Sequence, residues 1–376
     1  MSVIIKEVST KKQLKEFVKF PLQLYKNCPY FVPQLNLDCY NLLDTKKNPS
    51  YEFSESKCFL AYKDDKIVGR IAGIINHKSN KIWGEHCRFS FIDFIDDYEV
   101  SAALFNAVEE YARKKNLPKM QGPLSFTDFD NEGLLIEGFD SIPTITVSYN
   151  YEYYQHHFEK AGYAKCWDWN ELNIYFTDQL PEKFIRVGEI VKKKYNVSIK
   201  KFKSRKELRK YVPSIFQLFN RAYEPLHGYT ELSPKQIDAI VKQYVPILKL
   251  DFVTVVVNED DKIIGCGISM PSLSKAMQKA KGKMFPFGWY HLLKALYTKP
   301  KIGDTVDLYL IAVEPEYQRT GINSLLFLDL GPIYYKQGYR VAETNLILED
   351  NLKNSNQWDN FENKRVRTRR CFEKNL

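Results

Sequence analysis

The pattern of apolar and polar positions occurs twice along the chain. Residues 3–18 (VIIKEVSTKKQLKEFV) can be laid without a gap on residues 197–212 (VSIKKFKSRKELRKYV), and most pairs are identical or conservative. In both copies an apolar strand precedes Ser9 or Ser204, each a predicted helix cap, and apolar residues at helical spacing follow. The sequence predicts a strand and an amphipathic helix at the start of each half.

A second match indicates a duplicated domain. Residues 64–69 (DDKIVG) recur as residues 260–265 (DDKIIG), each between two apolar strands. Each half follows the order strand, helix, hairpin, strand, helix, strand, helix, strand. A repeat of this length indicates two domains, which we place at residues 1–178 and 179–376. The predicted fold class is α/β (α+β).

The stretch from Asp307 to Asn323 (DLYLIAVEPEYQRTGIN) predicts a strand, a tight loop and a helix start. Successive backbone N–H groups of such a loop point at one spot, and the helix dipole adds positive potential there. The loop is therefore suited to a pyrophosphate. Gly321 is expected to let the backbone approach the ligand. The alternative is an ordinary strand-turn-helix junction with a glycine for packing.

This stretch resembles the cofactor signature of the GNAT acyltransferase superfamily, V-x-P-x-x-[QR]-x-x-G-x-[GA]. Val313, Pro315, Gln318 and Gly321 match, whereas Asn323 replaces the final small residue. The resemblance implies a mixed, mostly antiparallel, V-shaped sheet flanked by helices in each half, with acyl-CoA entering where two parallel strands splay apart. It assigns acyl-CoA binding to Ile311, Ala312, Val313, Gln318, Arg319, Thr320, Gly321, Ile322, Asn323 and Asn351.

The N-terminal half has diverged at the equivalent position. Aligning Tyr98 with Tyr317 places Ala102 where the glycine stands, and the carboxylates of Asp96, Asp97 and Glu99 surround the turn. These negative charges would repel a pyrophosphate. We therefore expect only the C-terminal half to bind CoA, and the N-terminal half to help form the acceptor groove or to be structural.

The family's tyrosine general acid has no obvious counterpart. Trp358 stands at its position in the C-terminal half, and Phe158 stands there in the N-terminal half. A tryptophan cannot protonate a leaving thiolate. We therefore expect Glu343 or Asp307 to act as base and Tyr309 as proton donor, the alternative being polar side chains satisfied by neighbouring strands.

Composition permits an intracellular enzyme. The chain has 376 residues, 44% of them hydrophobic and 27% charged, with seven scattered cysteines. No spacing suggests a zinc site or a disulfide framework, so no metal is expected. Because no secretory signal or membrane-spanning run is present, we expect a cytoplasmic protein, of a bacterial type by resemblance. The formal charge of +9 is spread along the chain, and we expect no DNA partner.

Three further segments carry open alternatives. Residues 271–304 contain FPFGWYHLLKALY and predict either a helical lid over the acceptor groove or packing between the halves. Residues 121–146 predict a long irregular loop, whose Asp128, Asp130 and Glu132 are either acceptor ligands or solvated carboxylates. Residues 364–370 (KRVRTRR) predict an edge strand protected by charge, or a site for phosphate or an acyl carrier protein.

Three functions compete. The leading hypothesis is an N-acyltransferase that transfers an acyl group, acetyl by preference, from acetyl-CoA or a longer acyl-CoA to a small-molecule or lipid-like amine. The second is a non-catalytic acyl-CoA-binding or regulatory protein. The third is a Fem-type ligase that takes its acyl group from aminoacyl-tRNA, which a positive charge would favour. A homodimer is a further partner compatible with the resemblance.

Overall fold

The computed structural model describes residues 2–301, 304–351 and 356–376. The chain forms two compact units. Unit 1 consists of Met1–Asn170, Ser274–Leu292 and Val366–Leu376, and unit 2 of Glu171–Leu273 and Leu293–Arg365. The predicted division at residue 178 stays a prediction, because the ends of both halves of the sequence are distributed between the two units.

The predicted order of helices and strands is found in the first half, with additional short elements. In the second half the predicted last helix is not seen among the described residues, where a 3₁₀ turn (Asn356–Asn360) precedes the last strand. The first half contains β1 (Ile4–Glu7), α1 (Lys11–Leu24), α2 (Asn36–Leu42), β2 (Ser54–Lys63), β3 (Lys66–Asn76), α3 (His77–Trp83), β4 (Cys87–Phe94), α4 (Tyr98–Lys114), β5 (Lys119–Gly122), β6 (Leu134–Glu137), α5 (Tyr153–Lys160) and β7 (Ala164–Tyr175). The second half contains α6 (Glu182–Tyr195), β8 (Ser198–Lys200), α7 (Arg205–Tyr223), α8 (Pro234–Tyr244), β9 (Val253–Val257), β10 (Ile263–Pro271), α9 (Ser274–Ala280), α10 (Gly288–Tyr297), β11 (Val306–Val313), α11 (Ile322–Gln337), β12 (Val341–Thr344), β13 (Ile347–Leu348) and β14 (Asn363–Asn375).

The repeated segments have equivalent local structures. Ser204 caps α7 by accepting a hydrogen bond from the Glu207 N–H. At α1 the cap is Thr10, which accepts from the Gln13 N–H, so the prediction of Ser9 was wrong by one residue. Asp65 and Asp261 both adopt positive φ in the turns that join β2 to β3 and β9 to β10. These conformations suit the tight turns of a hairpin.

Each unit contains a mostly antiparallel set of strands with one parallel pair. The parallel pair is β4 with β5 in unit 1 and β11 with β12 in unit 2. The other strands of unit 2 pair antiparallel, β8 with β9, β9 with β10 and β10 with β11. β12 pairs with the end of β7 through Val341 and Tyr175. The parallel pair is the part of each sheet that positions the site.

β14 is an interior strand of unit 1. It pairs with β5 and β6, and it lies between β5 and β7 in the strand order. Arg367 and Arg369 are buried, and Arg370 forms a bidentate ion pair with Asp168, with Nε–Oδ1 at 2.8 Å. The prediction of an edge strand over KRVRTRR was therefore wrong, because β14 has a strand on each side and Arg367, Arg369 and Arg370 make their contacts inside unit 1.

Two hydrophobic clusters hold α11 in unit 2. One side of the helix packs over β11 and β12, where Phe327 and Leu330 meet Val306 and Ala342. Nearer its start, Ile322 and Leu325 pack with Val191 of α6. A helix covered on two sides must be apolar around most of its circumference, which explains the sequence INSLLFLDLGPIYY.

Candidate functional site

The loop between β11 and α11 leaves backbone donors available. After a short 3₁₀ turn (Pro315–Tyr317), Arg319 and Gly321 both adopt positive φ, +66° and +94°. No side chain caps α11. The N–H groups of Arg319, Gly321, Ile322 and Asn323 make no hydrogen bond within the described ranges. The start of this helix therefore presents a group of unsatisfied donors in the positive end of the helix dipole, as an anion site requires.

Gly321 is also required by packing. A Cβ on this residue would lie 2.5 Å from Cγ1 of Val187 and 3.1 Å from Cγ2 of Val191, both on α6. Its φ of +94° would strain any other residue. The glycine is therefore explained by the local fold, whatever the loop binds, and a substitution there tests packing before it tests binding.

A β-bulge at Tyr309 separates β11 from β12. Ile268 pairs with Leu310 and Ser269 pairs with Leu308, so Tyr309 is the extra residue. The parallel register with β12 ends at Leu308 and Thr344. Beyond this point β11 continues to Val313 along β10 alone. Among the described residues its other edge has no neighbouring strand, which is the splaying that the resemblance implies.

The uncovered edge of β11 is defined by three carbonyl groups. The Tyr309 carbonyl accepts from Asn345 Nδ2 (3.4 Å), the Ile311 carbonyl from the Tyr223 hydroxyl (3.0 Å), and the Val313 carbonyl from Gln318 Nε2 (3.3 Å). Because the N–H and C=O of one residue lie on the same side of a strand, the N–H groups of Ile311 and Val313 also face this edge. Neither has a partner among the described residues.

Ala312 differs from its two neighbours. It pairs with Cys266 of β10, and by alternation its N–H and C=O point toward that strand. Of the three strand residues assigned to acyl-CoA by resemblance, only Ile311 and Val313 therefore offer a backbone donor to the uncovered edge.

Two buried carboxyl groups stand side by side at the point where the strands part. Asp307 and Glu343 are register partners on β11 and β12, and Glu343 is in turn the partner of Asn173 on β7. Register partners point to the same face of a sheet. The preceding residue of each strand points to the other face. These three residues pack in the cluster under α11: Val306, Ala342 and Ile174. The carboxyl groups thus lie on the face opposite α11, and both residues are buried.

The bulge changes one predicted arrangement. Simple alternation places Asp307, Tyr309 and Ile311 on one face. Ile311 instead packs against the clusters beneath α11, because the extra residue at Tyr309 reverses the alternation after it. The prediction was therefore wrong for Ile311.

Tyr309 lies near the carboxyl pair. Burial raises the pKa of its hydroxyl well above the usual value, and the charge of Asp307 raises it further. The hydroxyl oxygen is buried and has no hydrogen-bond partner among the described residues. A neutral phenol near the Asp307 carboxyl group, with no partner among the described residues, is available to donate a hydrogen bond to a ligand.

Sequence reasoning missed two residues of α7. Tyr223 donates to the Ile311 carbonyl at 3.0 Å. Arg221 forms a bidentate pair with the buried Glu314 just after β11, with Nε–Oε1 at 2.7 Å and Nη2–Oε2 at 2.9 Å. Both fix the end of the strand from which the loop starts. The available signal was weak, since Glu314 follows the strand directly and lacks a nearby cation in the sequence.

The residue at the family's tyrosine position, Trp358, lies in the hydrophobic core. Trp358 is buried in the aromatic cluster of unit 2, with its ring centroid 5.0 Å from that of Phe327. Its Nε1 has no partner within the part of the chain that the structure describes. Asn351 donates its backbone N–H to the Leu348 carbonyl, and residues 352–355 of the same motif lie outside the described residues. Trp358 therefore fills space and stands apart from the proton chemistry.

Unit 1 has the same strand geometry, but its own side chains fill it. β4 has a bulge opposite Ile71, and it parts from β5 just after Arg88. The Phe94 N–H donates to the Tyr154 hydroxyl at 2.9 Å, and the Phe94 carbonyl accepts from the Tyr153 hydroxyl at 2.5 Å. Phe94 aligns with Val313, whose N–H is unpartnered. The edge that is uncovered in unit 2 is therefore closed in unit 1.

The helix start in unit 1 is closed as well. α4 begins at Tyr98, the residue that aligns with Tyr317, so the loop of unit 2 is replaced by helix. The Asp97 carboxylate caps it by accepting from the Glu99 N–H, and Lys63 pairs with Asp97 at 2.7 Å. This lysine interaction holds the pKa of Asp97 below its usual value. A carboxylate of the chain itself already occupies the place where an anion would bind.

One arrangement in unit 1 resembles a hydrolytic triad. Ser101 Oγ lies 2.8 Å from His157 Nδ1, and His157 Nε2 lies 3.0 Å from Asp96 Oδ1. The Ser101 side chain is completely buried, and its hydroxyl also contacts the Tyr98 carbonyl. A nucleophile must reach its substrate, so these groups serve to join α4 to α5.

The acidic loop of unit 1 is engaged locally. Asp130 is partly buried and accepts from the Thr127 N–H and hydroxyl at 2.9 and 3.0 Å. Burial raises the pKa of its carboxyl to about 6. Glu132 is buried, and burial raises its pKa as well. Asp130 and Glu132 are therefore not the solvated carboxylates of the second alternative, and a role as acceptor ligands stays a prediction.

The described residues contain neither a candidate metal site nor a candidate membrane-spanning helix. Across residues 2–301, 304–351 and 356–376, no group of three or more His, Cys, Asp and Glu side chains is placed to hold a metal ion. Within the same ranges, no helix has the length and hydrophobicity needed to cross a membrane.

Two known proteins are similar to this chain over nearly its whole length. No family model matches the chain. Protein YghO of Escherichia coli (strain K12) is 26% identical over 383 residues, which cover 99% of this chain and 95% of that protein. A bacterial ceramide synthase of Caulobacter vibrioides (strain NA1000 / CB15N) is 25% identical over 391 residues, which cover 98% of this chain and 96% of that protein.

A solved structure identifies the fold. A tandem GNAT protein from the clavulanic acid biosynthesis pathway superimposes with a TM-score of 0.56 at 10% identity, and the match covers 100% of this chain and 98% of that one. The chain has the tandem GNAT fold, so the predicted fold class and the fold that the resemblance implies are both confirmed.

Proposed function

We propose that this protein is an acyl-CoA-dependent N-acyltransferase whose unit 2 holds the acyl-CoA and whose acceptor is a lipid-like amine. The proposal depends on one contrast between equivalent positions. The start of α11 and the edge of β11 carry N–H groups that have no partner among the described residues, whereas unit 1 fills the same positions with Asp97, Tyr153 and Tyr154. One unit has kept a binding site that the other has closed.

The loop and strand suit the shape of CoA. The N–H groups of Arg319, Gly321, Ile322 and Asn323 would hold the pyrophosphate at the helix start. From Val313 back to Leu308 the strand runs roughly 16 Å, a span that an extended phosphopantetheine arm can follow. The N–H groups of Ile311 and Val313 would bind the arm and the thioester carbonyl. The Ile311 and Val313 carbonyls already have side-chain partners, so donors dominate this edge.

The carboxyl pair would handle the amine proton. Asp307 and Glu343 lie on the face opposite α11, next to the gap through which the thioester would emerge. Two neighbouring buried carboxyl groups disfavour a state in which both are charged. One of the pair is therefore assigned as the base for the acceptor ammonium, and its partner holds the proton that the pair retains. Tyr309 would donate a hydrogen bond to the reacting groups.

The reaction balances without a cofactor. The neutral amine attacks the thioester carbonyl carbon, a C–N bond forms, and the C–S bond breaks. The ammonium proton passes to the carboxyl pair. The CoA sulfur leaves as a thiolate and takes a proton from the site or from water. The site's task is to position the reactants and to remove a proton.

The acyl chain and acceptor are inferred from a relative. The Caulobacter protein is named a ceramide synthase, and a ceramide is an amide formed from a fatty acyl group and a long-chain amino alcohol. This favours a longer acyl-CoA and a long-chain amine over acetyl-CoA and a small acceptor. The proposal thus differs from the acetyl preference expected from the sequence, and an acyl carrier protein as donor stays a prediction.

An acceptor screen tests the proposal. Free thiol is measured after mixing the protein with acetyl-CoA or longer acyl-CoAs and a series of amines, including long-chain amino alcohols. We expect amine-dependent thiol release that is largest with long chains on both substrates. Tight CoA binding with no amine-stimulated release from any pair would replace this proposal with the acyl-CoA-binding one.

A further inference from the structure

An apolar and basic surface covers residues 281–297. Phe285 and Phe287 are 75% and 70% exposed, values that are unusual for phenylalanine in a folded protein. Trp289, Leu293 and Tyr297 follow at four-residue intervals on α10 and are also exposed. That spacing places them along one side of the helix. The outward side of α10 is therefore apolar, together with the turn that precedes it.

The charge around this surface has one sign. From Pro271 to Lys301 the chain carries seven lysines and no acidic residue. All seven lysines are exposed: Lys275, Lys279, Lys281, Lys283, Lys294, Lys299 and Lys301. Such a segment attracts a surface of negative charge and repels another copy of itself. A second copy of the chain is therefore disfavoured as the partner of this face.

The part of this segment that belongs to unit 1, Ser274–Leu292, is anchored within that unit. The Ser274 hydroxyl donates to the Pro143 carbonyl at 2.6 Å, and Gln278 Nε2 donates to the Pro29 carbonyl at 2.7 Å. The Asn36 N–H donates to the Gly282 carbonyl at 2.9 Å. Trp289 Nε1 bonds the Pro286 carbonyl, which fixes the indole over the turn. These hydrogen bonds hold the backbone of the segment in place, and its aromatic side chains remain exposed.

We propose that residues 281–297 bind the surface of a membrane that contains anionic lipids. Aromatic rings would enter the boundary between headgroups and acyl chains, and the lysines would contact the phosphate groups, as in interfacial amphipathic helices. The surface stands independently of the acyl-transfer proposal, although it would bring the protein to a lipid-like acceptor.

Vesicle sedimentation with the full chain tests this surface. Phosphatidylcholine vesicles are compared with vesicles of phosphatidylcholine and phosphatidylglycerol. We expect binding to the mixed vesicles that weakens with salt, and little binding to phosphatidylcholine alone. The emission of Trp289 should shift to the blue on binding, and Trp289→Phe should remove that shift.

Two double variants separate the contribution of the aromatic side chains to vesicle binding from that of the lysines. Phe285→Ser with Phe287→Ser should weaken binding to mixed vesicles by at least about tenfold, without changing the melting temperature. Lys281→Glu with Lys283→Glu should weaken it by at least about fivefold per lysine. The control replaces two exposed isoleucines elsewhere, Ile4→Ser with Ile82→Ser, and should bind like the parent. Absence of binding to the mixed vesicles, or equal losses in the control and the phenylalanine variant, would overturn the proposal.

Discussion

Asn323→Asp tests the anion site while leaving the fold in place. Asn323 lies in the first turn of α11, is partly exposed, and donates from Nδ2 to Gln357 Oε1 at 3.3 Å. Aspartate has almost the same shape, and the Gln357 amide can rotate to donate to it. A negative charge in the first helical turn stabilises the helix by about 0.3–1 kcal/mol. The variant should therefore melt at the same temperature as the parent or slightly higher.

The same charge should oppose CoA. A carboxylate about 6 Å from two pyrophosphate charges costs between about 1 and 5 kcal/mol, depending on the effective dielectric constant. We expect the CoA dissociation constant to rise at least about tenfold. Isothermal titration calorimetry measures this rise, and added salt should reduce the difference between variant and parent because salt screens the repulsion.

The control for this prediction is the uncharged variant Asn323→Ala. Asn323→Ala removes the bond to Gln357 without adding charge and should change CoA affinity by less than about threefold. Unchanged CoA affinity in Asn323→Asp, with a normal melting temperature, would refute the assignment of the α11 start as the pyrophosphate site. The variant is preferable to Gly321→Glu, which would clash with Val187 and unfold the loop before its charge mattered.

Three further predictions follow from the site and from unit 1. Calorimetry should find one CoA per chain, because side chains of unit 1 fill the equivalent site there. Ala102→Glu should therefore leave the CoA affinity unchanged. Two equivalent sites per chain would contradict this. Glu343→Gln should lower turnover about a hundredfold or more with little change in CoA affinity. The control Glu259→Gln changes an exposed glutamate and should match the parent. Equal rates in the two variants would exclude Glu343 as the base. The pKa of Asp130 is raised to about 6 in the folded chain, so its neutral form contributes stability that is present below about pH 4 and lost as pH rises through about 6. Asp130→Asn should therefore raise the free energy of unfolding by roughly 1–3 kcal/mol near pH 8 and change it little near pH 4 in urea denaturation; a gain that is the same at both pH values would contradict the assignment.

The repeat and the loop motif were visible in the sequence because they depend on local patterns. Strand and helix periods, the capping serine Ser204 and the Asp-Asp turns follow from residues close together in the chain. The splayed strands were expected only through the family resemblance. Periodicity alone could not locate the bulge at Tyr309, since a bulge depends on the register with β10.

Long-range contacts account for what the sequence could not show. Gly321 was expected to make room for a ligand, yet its closest neighbours are side chains of α6, more than a hundred residues earlier in the chain. The closure of unit 1 was expected from three carboxylates. Tyr153 and Tyr154, which fill the strand edge there, follow β4 by some 60 residues and carry no motif. The prediction of an edge strand at residues 364–370 failed for the same reason, because Arg370 pairs with Asp168 in β7, some 200 residues earlier in the chain.

Detection of an amide product tests the central claim most directly. The purified protein is incubated with a long-chain acyl-CoA and a long-chain amino alcohol, and the products are identified by mass spectrometry. The account predicts an N-acyl product that forms in equal amount with free CoA and that falls sharply in Asn323→Asp at limiting acyl-CoA. Formation of no amide from any acyl-CoA and amine pair, by protein that still binds CoA, would contradict it.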